Sequence, residues 1–165
     1  MDLNILNKNN NIFDSMRKAA LLTAGTIEDF NTMTIGWAVN GVIWGKNVFI
    51  VYVRPSRYTY KFMEENEYFT ISFYDDQYKK ALGYLGTKSG RDTDKVKDVN
   101  FTKETFGPSV TFKEANLSIL CKLLYKQDMN GCDFPQEVLD RYYKSEDGYD
   151  DFHRYYIGEI IEIKE

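Results

Sequence analysis

Hydrophobic and polar residues alternate in several short runs of this chain, which is the pattern of half-buried β-strands. In residues 68–73, Phe and Ile alternate with Tyr, Thr and Ser, so this segment predicts a strand with one buried face. Residues 42–53 are rich in Val, Ile, Phe and Tyr and are interrupted at 45–47, which predicts two strands joined by a hairpin or a close equivalent. Four other segments have strand-like patterns: 31–38, 109–112, 117–125 and 156–163.

Helical spacing of apolar residues occurs between these strands. Capping residues and helix-ending glycines mark the bounds of the candidate segments. The predicted helices are 14–22, 57–65 with Ser56 as its cap, one from Asp75 or Asp76 to Gly86, and one from Pro135 to about Tyr143. Because strands outnumber helices, the pattern predicts a mainly β fold with flanking helices, built on a barrel-like antiparallel sheet.

Length and charge narrow the class of protein. The 165 residues are expected to form a single domain, 1–165, and the net charge of −4 argues against nucleic acid and anionic membranes as partners. The N-terminal residues lack the features of a secretory signal, and the longest strongly apolar stretch, 48–53, is far shorter than the roughly 20 residues of a membrane span. We therefore expect a soluble, cytoplasmic protein. One histidine, His153, and two cysteines eleven residues apart predict no metal site.

Hydrogen-bond donors concentrate in three clusters: Asn31-Thr32-Met33-Thr34, Arg54-Pro55-Ser56-Arg57-Tyr58-Thr59 and Gly86-Thr87-Lys88-Ser89-Gly90-Arg91-Asp92. The first lies at the entry of a predicted strand, the second joins a strand to a helix, and the third follows a helix. At the second cluster, free N–H groups of a helix start combine with guanidinium and hydroxyl donors, which suits a phosphate. The sequence therefore predicts an anion site at this junction.

Each cluster also has an explanation that needs no ligand. In the second cluster, Ser56 caps the helix while Arg54 and Arg57 pair with surface acids. The third cluster is then a solvated loop, and the hydroxyls of the first are satisfied within a strand pair. When each cluster is considered separately, its residues are consistent both with a ligand site and with the explanation that needs no ligand.

Five segments occur in an order and spacing that point to a known family: Asn31-Thr32-Met33-Thr34-Ile35-Gly36-Trp37, Trp44-Gly45-Lys46, Val51-Tyr52-Val53-Arg54-Pro55-Ser56-Arg57-Tyr58-Thr59, Tyr68-Phe69-Thr70-Ile71-Ser72-Phe73 and Lys79-Lys80-Ala81-Leu82-Gly83-Tyr84-Leu85-Gly86-Thr87-Lys88-Ser89-Gly90-Arg91-Asp92. Together they resemble the flavin reductase-like FMN-binding family, which includes flavoredoxin. The resemblance extends to Ile157-Gly158-Glu159-Ile160.

This resemblance implies a split β-barrel, usually a homodimer, that holds FMN in a groove near the subunit interface. In that family the Asn-Thr-Met-Thr segment lies beside the isoalloxazine, and the matching residues here are Asn31, Thr32, Met33 and Thr34. The Arg-Pro-x-Arg-Tyr-Thr segment and the Ser-Gly-Arg-Asp loop surround the ribityl phosphate. Their matching residues are Arg54, Pro55, Ser56, Arg57, Thr59, Lys88, Ser89, Gly90 and Arg91.

His153 precedes the last predicted strand, in a segment similar to the Asp-His-x-x-x-x-Gly pattern of short-chain flavin reductases. There the histidine lies near the nicotinamide, which makes His153 the candidate catalytic residue. This chain has one extra residue between Asp and His, and a histidine hydrogen-bonded at a surface or interface is the alternative.

The sequence thus predicts an FMN-binding oxidoreductase that takes a hydride from NADH or NADPH onto flavin and passes electrons to free flavin or a protein acceptor. The protein sets the orientation and the charge around the flavin, which supplies the reactive chemistry. The alternative is an FMN-binding electron carrier or sensor that a partner protein reduces, without its own NAD(P)H activity.

Overall fold

The structure, a computed structural model, describes residues 16 and 18–165. The strands are β1 Ala20–Gly25, β2 Phe30–Ile35, β3 Ala38–Ile43, β4 Lys46–Val53, β5 Tyr68–Phe73, β6 Lys103–Phe106, β7 Ser109–Phe112, β8 Leu117–Asp128, β9 Lys144–Ser145, β10 Gly148–Tyr149 and β11 Arg154–Lys164. The α-helices are α1 Tyr58–Glu65, α2 Lys79–Thr87, α3 Lys95–Asp98 and α4 Gln136–Tyr142. None of these helices is long and apolar enough to cross a bilayer.

Seven strands form one antiparallel sheet in the order β2-β1-β5-β8-β11-β4-β3. Strands spaced about 4.8 Å apart would place the two edges of a flat sheet of this width about 29 Å from each other. The edge strands β2 and β3 are consecutive in the chain, and Gly36 and Trp37 connect them, which limits the gap at that point to about 11 Å. The sheet therefore curls into a barrel that is incompletely closed between β2 and β3.

The strand predictions at 68–73 and 109–112 are confirmed with the same bounds. The expectation of one exposed face on β5 is wrong, because the β6–β7 hairpin covers that face. The Thr70 hydroxyl donates to the Val110 carbonyl at 2.5 Å, and the Ser72 hydroxyl lies 3.0 Å from that of Thr111. The hydroxyls of Thr70 and Ser72 can be buried there because they have hydrogen-bond partners.

The predicted helix at 14–22 is wrong where the structure describes it, since residues 20–22 belong to β1. Residues 14, 15 and 17 lie outside the described residues. Ala20 and Leu22 face the barrel core, while Leu21 packs in a second apolar cluster, and all three are fully buried. A strand buried on both faces has no alternation of apolar and polar residues, so periodicity does not distinguish it from a helix.

The predicted hairpin at 42–53 is confirmed, with its turn at Trp44 and Gly45, both at positive φ. The segment 31–38 is divided, because β2 ends at Ile35 and β3 begins at Ala38. The strands predicted at 117–125 and 156–163 are confirmed as parts of the longer β8 and β11. The mainly β fold with flanking helices is also confirmed.

Two apolar clusters stabilise the fold. The barrel interior combines side chains of the sheet with Phe62 and Met63 of α1. The second cluster lies between the sheet, α2 and the loop after α3, and its buried members are Leu21, Tyr74, Leu82, Leu85, Phe101 and Phe112. This second cluster fixes α2 against β2, and thereby sets the position of the loop that follows α2.

Candidate functional site

The three donor clusters of the sequence meet at one end of β2. The Asn31 amide donates to the Thr59 hydroxyl at 2.7 Å, which links the first cluster to the second. A Cβ atom on Gly90 would overlap Asn31 Oδ1, so the third cluster packs directly against the first. Asn31 is buried, and glycine is the residue that permits this close approach.

Further contacts hold the loop after α2. The Thr34 hydroxyl donates to the Leu82 carbonyl of α2 at 2.6 Å. The Arg91 guanidinium lies over the ring of Tyr58, 5.0 Å from its centroid, and approaches the Ser56 carbonyl at 3.5 Å. The loop is therefore bound both to the edge strand β2 and to the start of α1.

These segments enclose a cavity of about 120 Å³, here called the cationic cavity. Four basic side chains line it: Arg57, Lys88, Arg91 and Lys95. Among the residues that the structure describes, neither the Arg57 guanidinium nor the Lys88 ammonium has a hydrogen-bond or ion-pair partner. Charged donors without partners around one small space are suited to a phosphate group.

Lys95 is a residue of this cavity that the sequence reasoning missed. It is 4% exposed, and its ammonium donates to the carbonyls of Leu85 at 2.9 Å and Lys88 at 3.0 Å. Burial, and then the charge of Arg57, lower the pKa of Lys95 to about 8. In the sequence it stands in a polar segment, where a lysine normally indicates solvent exposure.

A larger groove of about 810 Å³ lies beside the cationic cavity and shares Asn31, Gly90, Arg91 and Lys95 with it. Its other charged residues include four carboxylates: Glu28, Asp29, Asp92 and Asp94. Because these carboxylates offset the cations, the groove is less suited to an anion than the smaller cavity.

A second cavity of about 310 Å³ adjoins the cationic cavity and shares Met33 and Arg57 with it. We call it the aromatic cavity, because rings and the edge strand β2 form much of its wall. Its lining includes residues 33–37 with Tyr52, Arg54, Tyr142 and His153. Met33 and Thr34 of the first cluster thus lie beside this second cavity.

Arg54 belongs to the aromatic cavity rather than to the cationic one. Its guanidinium donates to the Tyr142 carbonyl at 2.6 Å, lies 3.6 Å from an Asp151 oxygen and stands over the ring of Tyr143. Ser56 lines the cationic cavity, but its N–H and hydroxyl both donate to Asp151. The prediction that Ser56 caps α1 is wrong, because Arg57 is the N-cap residue and Ser56, held by Asp151, lies one residue before it.

Thr32 and Pro55 line neither cavity. The Thr32 hydroxyl accepts from Thr23 at 2.9 Å and donates to the Leu22 carbonyl at 3.2 Å, so it is satisfied within the strand pair. This is the arrangement that the ligand-free interpretation expects for Thr32. Pro55 is exposed in the turn before α1.

His153 lies in the wall of the aromatic cavity and is 9% exposed. Its Nδ1 is 2.8 Å from the Tyr143 hydroxyl, and its ring packs on that of Trp37 with centroids 4.6 Å apart. Burial and the nearby Arg54 charge lower the pKa of His153 to about 4, although Asp151 acts in the opposite direction. The imidazole is therefore neutral at neutral pH.

A split antiparallel barrel with adjoining cationic and aromatic cavities is the architecture expected of a flavin-binding protein. Residues 15–165 match the model of the flavin reductase like domain, and the chain belongs to this family. A search of curated protein sequences found no match.

Solved structures share the fold. An FMN-binding protein from Thermus thermophilus with bound 1-cyclohex-2-enone is 20% identical with a TM-score of 0.68, over 89% of this chain and 69% of that one. Flavoredoxin from Methanosarcina acetivorans is 24% identical with a TM-score of 0.67, over 88% and 67%. A protein with a split barrel domain from Shewanella frigidimarina is 13% identical with a TM-score of 0.67, over 98% and 77%. The expected split barrel is therefore confirmed.

Proposed function

We propose that this chain binds FMN and catalyses hydride transfer from NADH or NADPH to the flavin, with free flavin or a protein as the next electron acceptor. The observation that carries this proposal is the pair of adjoining cavities that share Met33 and Arg57. One cavity offers charged donors to a phosphate, and the other offers rings and a strand edge to a flat, partly polar ring system.

In the cationic cavity, Arg57, Lys88, Ser89 and Arg91 are the donors that would hold the phosphate, with the loop kept in place by Gly90. We add Lys95, whose ammonium uses two of its three N–H groups on carbonyls and retains one. Within residues 16 and 18–165 no carboxylate pairs with Lys95, so an anion in this cavity would supply the missing countercharge.

In the aromatic cavity, β2 provides the backbone groups for the ring system. β2 pairs with β1 on one side and forms an edge of the sheet on the other, which leaves N–H and C=O groups along 33–35 free of strand partners in the described sheet. Such groups match the carbonyl and nitrogen edge of an isoalloxazine. When bound there, the flavin supplies the redox chemistry: it accepts the hydride and is reduced, while the nicotinamide is oxidised.

We place His153 beside the nicotinamide, as the candidate catalytic residue. It lines the aromatic cavity and is neutral there, so it is suited to orienting a polar group by hydrogen bonding. In the alternative, His153 is a packing residue held by Tyr143 and Trp37. Substitution by Ala distinguishes them: a ligand-binding role predicts slower flavin reduction by NADH or NADPH with FMN affinity nearly unchanged, and a packing role predicts a change in thermal stability alone.

We also propose a homodimer. The edge strand β3 and its turn expose apolar side chains, with Val39, Val42 and Trp44 exposed by 50, 68 and 65%. A second copy of the chain would cover this patch. Tyr143 and Tyr156, in the aromatic-rich C-terminal part of the chain, are buried inside it and do not contribute to such a surface. Light scattering at micromolar concentration tests the assembly, and a monomer would contradict it.

The experiment that tests the function is anaerobic reduction of the FMN-loaded protein, followed by the visible absorbance of the flavin. Loss of this absorbance on addition of NADH or NADPH, at a rate above that of free FMN, supports the oxidoreductase. Reduction by dithionite but not by either nicotinamide would instead support the electron carrier or sensor. A protein that does not retain FMN would contradict both. A cytoplasmic location stays a prediction.

A further inference from the structure

We propose that Tyr143 is a positioning residue that holds His153 in the neutral tautomer with the proton on Nε2, so that His153 offers an N–H donor to a ligand in the aromatic cavity. The identity of that ligand as a nicotinamide rests on the function proposed above. The state of the imidazole rests on the contacts around it, and these exist whatever the ligand is.

Geometry leaves one ring nitrogen for the ligand. Nδ1 of His153 is 2.8 Å from the Tyr143 hydroxyl, and this pair is buried. Nε2 makes no hydrogen bond to any part of the described chain, while His153 lines the cavity. Trp37 packs against the imidazole with an interplanar angle of 32° and limits the orientations of the ring. Nε2 is therefore the nitrogen available to a molecule in the cavity.

The hydrogen-bonding requirements of the pair select the tautomer. Tyr143 is 2% exposed, and its hydroxyl has no other hydrogen-bond acceptor than His153 Nδ1 among the described residues. If Nδ1 carried the proton it would donate to the tyrosine oxygen, and the tyrosine O–H would be buried without an acceptor. If Nδ1 is unprotonated it accepts from the O–H, and both groups are satisfied. The proton of the neutral imidazole then resides on Nε2.

Burial keeps both members of the pair uncharged. It raises the pKa of Tyr143, although the Arg54 guanidinium, 5.2 Å from the centroid of the ring, acts in the opposite direction, so the hydroxyl keeps its proton. Arg54 and Arg57 disfavour an imidazolium, while Asp151 favours it and is itself bound to Ser56. Burial is the largest cause of the lowered pKa of His153, and the two arginines act in the same direction.

An N–H donor in this cavity selects ligands with an acceptor, such as the carbonyl oxygen of a carboxamide. A pyridine-type nitrogen at the same place would repel that oxygen. Tyr143 thus acts on the ligand through His153, and no motif in the sequence points to this role.

The single histidine makes the experiment direct, because every imidazole signal of the full chain belongs to His153. Long-range ¹H–¹⁵N correlation spectra of the ¹⁵N-labelled protein at neutral pH, recorded without nicotinamide, report which ring nitrogen is protonated. The connections to the two carbon-bound ring protons identify Nδ1 and Nε2. We expect a pyrrole-type Nε2 and a pyridine-type Nδ1. A protonated Nδ1, or equal populations of both tautomers, would overturn the proposal.

Tyr143→Phe removes the hydroxyl and is expected to convert the single tautomer into a mixture. Tyr149→Phe is the matched control, because that exposed hydroxyl bonds to Asp140 outside both cavities. An unchanged His153 spectrum in a folded Tyr143→Phe protein would overturn the proposal. If this variant does not fold, the wild-type spectrum alone decides. Since these spectra need no electron transfer, failure of the NADH assay would contradict the proposed function and not the tautomer.

Discussion

The two cavities are built in opposite ways. In the cationic cavity, Arg57 and Lys88 have no partner among the described residues, whereas in the aromatic cavity Arg54 and His153 are already bound to neighbouring groups. In the first arrangement, the charged side chains remain available to form charge-assisted hydrogen bonds with an ionic ligand. The second fixes side chains before any ligand arrives, which is what orientation of a reacting ring requires. Binding affinity is thus expected to depend on the first region and reactivity on the second.

The largest effect that would sharpen this contrast is expected from Arg57→Ala. Loss of one hydrogen bond to a charged group should weaken FMN by about 1.5–3 kcal/mol without unfolding the chain. Riboflavin has no phosphate, so its affinity should change little. Fluorescence titration with both flavins measures the difference. Lys61→Ala is the control, because Lys61 is exposed on α1, the helix that follows Arg57, and pairs at 3.9 Å with Glu65. Equal losses for FMN and riboflavin would contradict the phosphate assignment.

Gly90→Ala should disturb the cationic cavity through packing. The new methyl group would displace the Asn31 side chain and break its bond to Thr59, which should cost about 1–3 kcal/mol of folding stability and weaken FMN. Gly83→Ala is expected to give the opposite result, since no atom beyond its chain neighbours and the backbone of α2 lies within 4 Å of its Cβ position. There alanine should raise stability by about 0.5–1 kcal/mol and leave FMN affinity unchanged. Denaturant unfolding compares the two variants, and similar behaviour would refute the close approach.

His153 in the aromatic cavity is expected to make the stability of the fold depend on pH. The pKa of His153 is lowered to about 4 in the folded protein from about 6.5 in the unfolded chain, so the folded state binds fewer protons between these values. The stability that His153 contributes is present above about pH 6.5 and is lost as the pH falls toward 4. Relative to His153→Gln, the wild type should lose on the order of 1–2 kcal/mol over this range. Parallel stability curves for the two proteins would exclude a buried neutral histidine.

A smaller pH effect is expected in the cationic cavity at alkaline pH. Lys95 has a pKa of about 8 and loses its charge above that value, and a bound phosphate would favour the charged form. The ratio of FMN to riboflavin affinity should therefore fall by at most about tenfold between pH 7 and 9. In Lys95→Gln the ratio should be lower and nearly independent of pH. A wild-type ratio that is constant over this range would show that Lys95 does not interact with the phosphate.

Sequence reasoning succeeded where the determinants are local. The alternating pattern identified β5. The donors within 54–59 are close together in the sequence, as are those within 88–91, so the sequence alone indicated that each group lies near the end of a helix or strand. It failed for β1, which is buried on both faces.

It also missed the site residues that tertiary packing creates. Lys95 becomes a cavity residue because α3 packs beside the end of α2. Tyr143 becomes a partner of His153 because the residue that follows α4 packs against the residue that precedes β11. Neither contact has a signature within a short window of sequence, since burial of Lys or Tyr is decided by the elements that pack over it.

The short connection between β2 and β3 also sets the dynamics of the aromatic cavity. Gly36 and Trp37 line this cavity, and each end of their segment continues directly into a hydrogen-bonded strand. This segment is a covalent link that resists opening. Moving β2 away from β3 at this point would break hydrogen bonds of the β1–β2 pair and of the β3–β4 pair. The part of the wall formed by Tyr142 and His153 is held by side-chain contacts instead, which include the packing of both rings on Trp37. We therefore expect exchange of molecules with the cavity to depend on fluctuation of Tyr142 and His153, while the covalent link keeps β2 in register.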